Sequence, residues 1–140
     1  MLPVASVSEI RRAETEYFGS ADVLRTVLTV GEKMAEYILA SPLMRNRKSL
    51  LAVCGQGNNG ADGMAAAAVL KKAGLDVRVA FVGDAGKKSA PAAFCMEQCR
   101  ELLGGLSPAD AVLDAIFGIG FHGIAEGRDK DAIEFINCLH

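Results

Sequence analysis

The stretch that most constrains the fold runs from Leu50 to Gly63 and reads LLAVCGQGNNGADG. An apolar run enters a loop with four glycines, two adjacent asparagines and one aspartate. An alanine-rich helical stretch, Met64 to Ala73, follows at once. Leu50 to Val53 is apolar on successive residues, which fits a parallel strand covered on both faces. The order strand, tight loop, helix turns backbone N–H groups and the positive end of a helix dipole towards whatever lies above the loop. Gly55, Gly57 and Gly60 satisfy the G-x-G-x-x-G dinucleotide fingerprint in the context it requires. Three glycines at that spacing are a weak signal alone. Asn58 and Asn59 are expected to carry amide groups into the loop. Asp62 is expected at the helix start, where its carboxylate accepts backbone N–H groups or a substrate hydroxyl.

The rest of the chain reads as support for this loop. Ser6 and Glu9 have the spacing of a capping box, opening a charged helix to about Phe18 that Gly19 ends. Ser20 or Asp22 caps a second helix that stops at Ser41-Pro42. Its residues Leu24, Val27, Leu28, Gly31, Met34, Ala35 and Ile38 recur at three- and four-residue steps and form one buried face. Gly31 on that face implies close approach to another element. Arg45 to Lys48 reads as a solvated basic connector. The third helix is expected from about Asp62 to Ala73, capped by Gly74, with a second strand at Asp76–Val82. Together with the first strand this is a βαβ unit. Asp84 follows it, where a ribose-binding acid belongs. A fourth helix spans about Ala92 to Leu103, closed by Gly104-Gly105. A short third strand, Ala111–Leu113, ends at Asp114, and a final helix runs from Asp129 to Leu139.

Between that strand and that helix lies a second glycine-rich loop, Phe117-Gly118-Ile119-Gly120-Phe121-His122-Gly123. Alternating strands and helices give an α/β sandwich with a mostly parallel sheet, in which ligands bind at the carboxyl ends of strands near a switch in strand order. Both glycine-rich loops are therefore expected to face one crevice, with Asp114 pointing into it. An acid there is costly to bury unless paired or bound to a cation. An Asn oxygen, a carboxylate and backbone carbonyls suit a hard cation. His122 reads as a surface or phosphate-adjacent residue rather than a catalyst.

Composition narrows the classes. Lys and Arg number 15 against 17 Asp and Glu, a net charge of −2, so the chain lacks the basic balance of a nucleic-acid or anionic-membrane binder. Apolar runs are too short for a transmembrane helix, and Met1 to Ile10 does not have the pattern of a signal peptide. Cys54, Cys95, Cys99 and Cys138 show no CxxC spacing and read as buried reduced thiols of a cytoplasmic protein.

Residues Gly55 to Gly63, GQGNNGADG, closely resemble the G-x-G-N-N-G-G-D-G signature of the YjeF N-terminal domain family, the NAD(P)H-hydrate epimerases. The stretch Asp114-Ala115-Ile116-Phe117-Gly118-Ile119-Gly120 is similar to that family's D-A-[LI]-F-G-x-G motif, and Glu9-Ile10-Arg11-Arg12 resembles its E-M-R start. The resemblance covers essentially residues 1–140 as one domain. It implies a three-layer αβα Rossmann-like sandwich, incomplete at its C-terminal side. It also implies interconversion of the R and S forms of hydrated NADH and NADPH, with potassium as the cofactor. The implied partner is an ADP- or ATP-dependent NAD(P)H-hydrate dehydratase, fused or separate. By position, Asn58, Asn59, Gly60, Ala61 and Asp62 would contact the hydrated nucleotide. Asn59 and Asp114 would hold potassium. Gly118, Ile119, Gly120, Phe121, His122, Gly123 and Ile124 would line the phosphate side.

The sequence departs from the family pattern at several points. Ala61 replaces the second motif glycine, Thr29 stands where the family has Asn, and the segment before Asp114 is short enough for a strand to be missing or reduced. The family's D-x-P-S-G segment, with the candidate catalytic aspartate, is expected beyond His140. A truncated domain that binds but turns over poorly is thus one expectation, with self-association through an uncovered sheet edge. A non-catalytic nucleotide-binding or scaffold domain of the same fold is the alternative. A dehydrogenase domain is disfavoured, because no hydride-transfer residues are visible.

Overall fold

The computed structural model of the chain describes residues 4–19 and 22–139. Its sheet has four parallel strands: β1 (Ser49–Cys54), β2 (Asp76–Phe81), β3 (Leu103–Gly104) and β4 (Ala111–Ala115). Their order across the sheet is β3-β2-β1-β4. The chain steps outward from β1 to β3, then returns to pair β4 on the other side of β1. The switch in strand order therefore lies between β1 and β4, and their exits are the two glycine-rich loops.

Why β1 is apolar throughout is visible in its two faces. Leu50, Ala52 and Cys54 join one core cluster with Val27 and Ala35 of α2 (Val23–Ala40), Met64, Ala67 and Leu70 of α3 (Asn58–Lys72), and Ala92 and Cys95 of α4 (Ala90–Gln98). Leu51 and Val53 join a second cluster with Ile116 and with Ala132 of α5 (Gly127–Asn137). Helices thus cover both faces, giving the three layers the alternation implies. Helix α2 lies close against α3, as Gly31 implied. A Cβ on Gly31 would stand 2.9 Å from both the Ala65 carbonyl carbon and the Ala66 nitrogen.

Local capping agrees with the sequence. Ser6 and Glu9 form the capping box of α1 (Val7–Phe18). Asp22 caps α2, its carboxylate accepting from Leu24 and Arg25 N–H; Ser20 lies outside the described residues. Asp110 fixes the start of the β1–β4 pair. Its carboxylate accepts from the Lys48 and Ser49 N–H groups, which hold it below the usual carboxylate range, and its carbonyl accepts from Arg47. Part of the basic connector is therefore a tie to β4 rather than a solvated loop.

Several expectations shift. Helix α4 ends at Gln98, not Leu103, because Leu103 is drawn into parallel pairing with Val79 and tertiary pairing overrides helix propensity. The reduced strand is this two-residue β3. Leu28 is 37% exposed, off the buried stripe of α2. Cys54, Cys95 and Cys99 are buried free thiols, but Cys138 is exposed. Burial pushes the Cys54 and Cys95 thiols up and the Cys99 thiol up to about 11, so these are inert packing residues. Among the described residues no helix is long and apolar enough to cross a membrane.

Candidate nucleotide-binding cleft

The first loop is shorter than its sequence implies. Gly57 is extended (φ −90°, ψ −170°) and is the N-cap of α3, with its carbonyl accepting from Ala61 N–H at 3.1 Å. Helix α3 therefore begins four residues before the expected Asp62. Asn58 and Asn59 form its first turn rather than a loop. The N–H groups of Asn58, Asn59 and Gly60 are among the donors that a helix start leaves without a partner inside the helix. No side chain caps this end, so Asp62 does not have the capping role foreseen for it. Asp62 instead sits one turn in, half-buried, and burial raises its carboxyl to about 6.

The motif glycines divide into two kinds. Gly60 lies against Gly55, where a Cβ would come within 2.7 Å of the Gly55 carbonyl carbon and 2.9 Å of its nitrogen. A Cβ on Gly55 would meet the Ile116 backbone, and one on Gly63 would stand 2.5 Å from the Ala115 Cβ. These three seat α3 against β1 and β4. Gly57 has nothing within 4 Å of where a Cβ would be, and its open side is the cleft. Ala61 is fully buried, and its backbone is ordinary helix, so its methyl group fits where the family pattern has glycine.

The second loop is held by residues distant in sequence. Asn59 donates from Nδ2 to the Phe117 carbonyl at 3.0 Å, tying the start of α3 to the loop. The Phe117 and Phe121 rings stack with centroids 3.8 Å apart. Arg11 of α1 donates to the Ile119 carbonyl at 3.2 Å and stands 2.9 Å from His122 Nε2. A guanidinium only donates, so His122 accepts through Nε2. Gln56 ties the first loop to the exit of β2: its Oε1 accepts from Asp84 N–H at 2.6 Å and its carbonyl from Ser89 N–H at 2.9 Å.

Between the two loops lies a cleft of about 890 Å³, within the range of small-molecule and cofactor sites. As expected, both loops line it. Asn58, Asn59, Asp62, Gly118, Ile119, Gly120 and Phe121 are on its wall, joined by Glu14, Thr26, Gln56 and Asp129. Gly60 and Ala61 are buried behind it. His122, Gly123 and Ile124 lie outside the lining, and Ile124 is 85% exposed.

Asp114 corrects an expectation. It is exposed, does not line the cleft, and its Oδ1 accepts from Ile116 N–H at 3.1 Å. Alternation along β4 explains this: Ala115 faces α3, so Asp114 takes the opposite face, with Val112. Asp84 is also off the wall; it accepts from Gly86 N–H and pairs with Lys87. Thr29, at the family's Asn position, bonds back to the Arg25 carbonyl.

Glu14, Thr26, Gln56 and Asp129 on the wall, and Arg11 behind the second loop, are site residues to which the sequence assigns no role. Gln56 is a variable position within the fingerprint, Arg11 lies in a motif without a stated role, and Asp129 is an ordinary first-turn acid. Only tertiary placement distinguishes them.

The chain is 34% identical over 146 residues to the NAD(P)H-hydrate epimerase of Elusimicrobium minutum, an alignment covering 92% of this chain and 65% of that protein. It is 32% identical over 151 residues to the bifunctional NAD(P)H-hydrate repair enzyme Nnr of Thermofilum pendens, covering 97% of this chain and 29% of that protein. The chain thus spans less than two thirds of the length of these relatives. The crystal structure of yeast ynu0, YNL200c, superposes with a TM-score of 0.75 at 18% identity, covering 99% of this chain and 68% of that one, a likeness of fold. The family model for the YjeF-related protein N-terminus matches residues 25–140. With both glycine-rich loops inside that match and walling one cleft, the chain belongs to the YjeF-related protein N-terminus family.

Proposed function

We propose that the chain is an NAD(P)H-hydrate epimerase domain that binds hydrated NADH or NADPH in this cleft and interconverts their R and S forms. The observation that carries this reading is the meeting of the open first turn of α3 with the half-buried Asp62 on one wall. The helix start offers N–H donors for pyrophosphate. Inverting a carbon that bears both a hydroxyl and a ring nitrogen requires a proton to move on or off the hydroxyl. A carboxyl raised to about 6 is largely ionised at neutral pH yet close enough to it to take up and return that proton. The wall residues Gly118 to Phe121 enclose the ligand from the other side.

Potassium is part of the proposal. By position the donors would be Asn59 Oδ1, left available because Nδ2 is committed to Phe117, and Asp114; since Asp114 takes the sheet face away from α3, Asn59 Oδ1 is the one of the two that stands on the cleft wall. An amide oxygen suits a hard cation, which would supply fixed positive charge beside the nucleotide, with its remaining donors coming from groups other than Asp114. The partner chemistry follows from the reading: a nucleotide-dependent NAD(P)H-hydrate dehydratase consumes one epimer. The repair enzyme of Thermofilum pendens is named as bifunctional, which supports a fused arrangement. The proposal also takes the domain to act in the cytoplasm and as a homo-oligomer.

The test is to incubate the chain with a single hydrated NADH epimer, in potassium and in sodium buffers, and follow the appearance of the other by chromatography. Equilibration faster than the spontaneous rate, and faster still in potassium, supports the proposal. Nucleotide binding without any acceleration points to the non-catalytic relative, and absence of binding rejects the cleft as a nucleotide site.

A further inference from the structure

Asp129 is the third residue of α5, where an acid ordinarily accepts a backbone N–H of the helix start. It does not do so here: Glu126, the N-cap, is uncapped by any side chain, and Asp129 Oδ1 is buried with no hydrogen-bond partner. A buried oxygen without a partner is costly and calls for an explanation. Asp129 also lines the cleft, together with Gly83 at the exit of β2 and Gly55–Gly57 of the first loop. In dinucleotide-binding sheets the exit of the second strand is where an acid takes the ribose hydroxyls. Asp84, the residue at that point in sequence, is turned out to Gly86 and Lys87.

We infer that Asp129 supplies this acid from the opposite layer, accepting a hydrogen bond from the 2′-hydroxyl of the adenosine ribose and thereby favouring NADH-type over NADPH-type nucleotides. The inference rests on the nucleotide reading of the cleft. A carboxylate there cannot face the pyrophosphate, which belongs at the start of α3, so it faces the neutral sugar. A 2′-phosphate would bring two like charges together in a partly desolvated place and leave the carboxylate without its donor. The neighbouring cation is Arg128, whose Nη2 is engaged on the Phe81 carbonyl at 3.0 Å. The other cation on this element, Lys130, pairs with Glu134 at 3.5 Å; Arg128 and Lys130 are the groups of α5 that would favour a 2′-phosphate instead.

The experiment measures binding of NADH and NADPH, as stable stand-ins, to the chain and to Asp129→Asn and Asp129→Ser, with circular dichroism confirming the fold of each. The chain is expected to favour NADH by about tenfold, the scale of one charged hydrogen bond. Both variants are expected to bring the two affinities within about twofold of each other. A purely structural Asp129 would weaken both nucleotides equally and preserve their ratio, which overturns the inference. Equal binding by the unaltered chain, or a preference for NADPH, also overturns it while leaving the cleft a nucleotide site. Binding of neither nucleotide overturns both readings.

Discussion

Replacing Gly60 and Gly57 separately with alanine tests whether the fingerprint glycines have different physical tasks. At Gly60 the new Cβ would stand 2.7 Å from the Gly55 carbonyl carbon and 2.9 Å from its nitrogen. Comfortable carbon contacts lie near 3.5 Å or beyond, so the two backbones must part by roughly 1 Å. Neither backbone is free to yield. Gly55 N–H donates to the Ala115 carbonyl at 3.0 Å, and Gly60 is in the first turn of α3, which packs on the sheet through Ala61 and Met64. Overpacking of this kind costs about 1–3 kcal/mol. Alanine's better helix propensity offsets up to about 1 kcal/mol of it. With a net cost of about 1–2 kcal/mol, Gly60→Ala is expected to lower the melting temperature by about 2–8 °C, at roughly 2–4 °C per kcal/mol for a chain of this size.

Gly57→Ala should behave in the opposite way. Its φ of −90° is open to alanine and nothing lies within 4 Å of the added methyl group. Stability should be unchanged or raised by about 0.5 kcal/mol through the unfolded state. Nucleotide affinity should fall, since the methyl group occupies the side from which phosphate approaches. Urea and thermal melts together with calorimetric titration of NADH separate the two outcomes. A Gly60→Ala variant that melts with the unaltered chain, or a Gly57→Ala variant that is destabilised but binds normally, would refute the division.

Two further outcomes follow from the cleft. Asp62 has its carboxyl raised to about 6 from an ordinary value of 3.8 by burial. The folded state therefore holds this proton more tightly than the unfolded one, and stability contributed by protonation is lost as pH rises from about 4 to about 6. Asp62→Asn should accordingly stabilise the chain above pH 6 and have no effect near pH 3.5, read from melting temperatures across that range; a constant difference at every pH would contradict the burial argument. Arg11→Ala removes both donors from α1 to the second loop. Hydrogen exchange of residues 118–122 should accelerate at least about threefold while global stability changes by less than about 1 kcal/mol, because the contact is exposed. Unchanged exchange would mean that the phenylalanine stack alone holds the loop.

What the sequence made legible was what neighbouring residues decide among themselves. Ser6 with Glu9, Asp22 with Leu24 and Arg25, and the uniform apolarity of β1 are local signals, and each is found in the structure. Gly31 was legible as a close approach because glycine on a buried helix face has few other uses. The start of α3 departs from the local signal for a physical reason. Asparagine favours caps and loops by competing for backbone hydrogen bonds. At Asn59 that competition is removed, since its amide is occupied by Phe117, 58 residues away. A helix-disfavouring residue is thus freed to join the helix by a partner that no local window contains.

The same reasoning accounts for the metal and ribose expectations. Asp114 and Asp84 were placed in the cleft because of their position at strand exits, but a strand exit fixes only the backbone. Whether the side chain enters the crevice depends on the two-residue alternation, and Ala115 had already taken the face towards α3. For Asp84 the deciding factor was a tight turn that claims its carboxylate for Gly86. Asp129 passed unnoticed because a first-turn acid is usually explained by its own helix. It becomes informative only when that helix makes no use of its buried oxygen. The second loop depends on the longest connections of all, from Arg11 across 108 and 111 residues to Ile119 and His122. The motifs therefore identify where the cleft is, whereas the side chains that hold its second loop and complete its wall come from α1 and α5. Substitution of Arg11 should accordingly loosen the second loop, and substitution of Asp129 should alter the proposed nucleotide preference, both without disturbing the glycine scaffold beneath them.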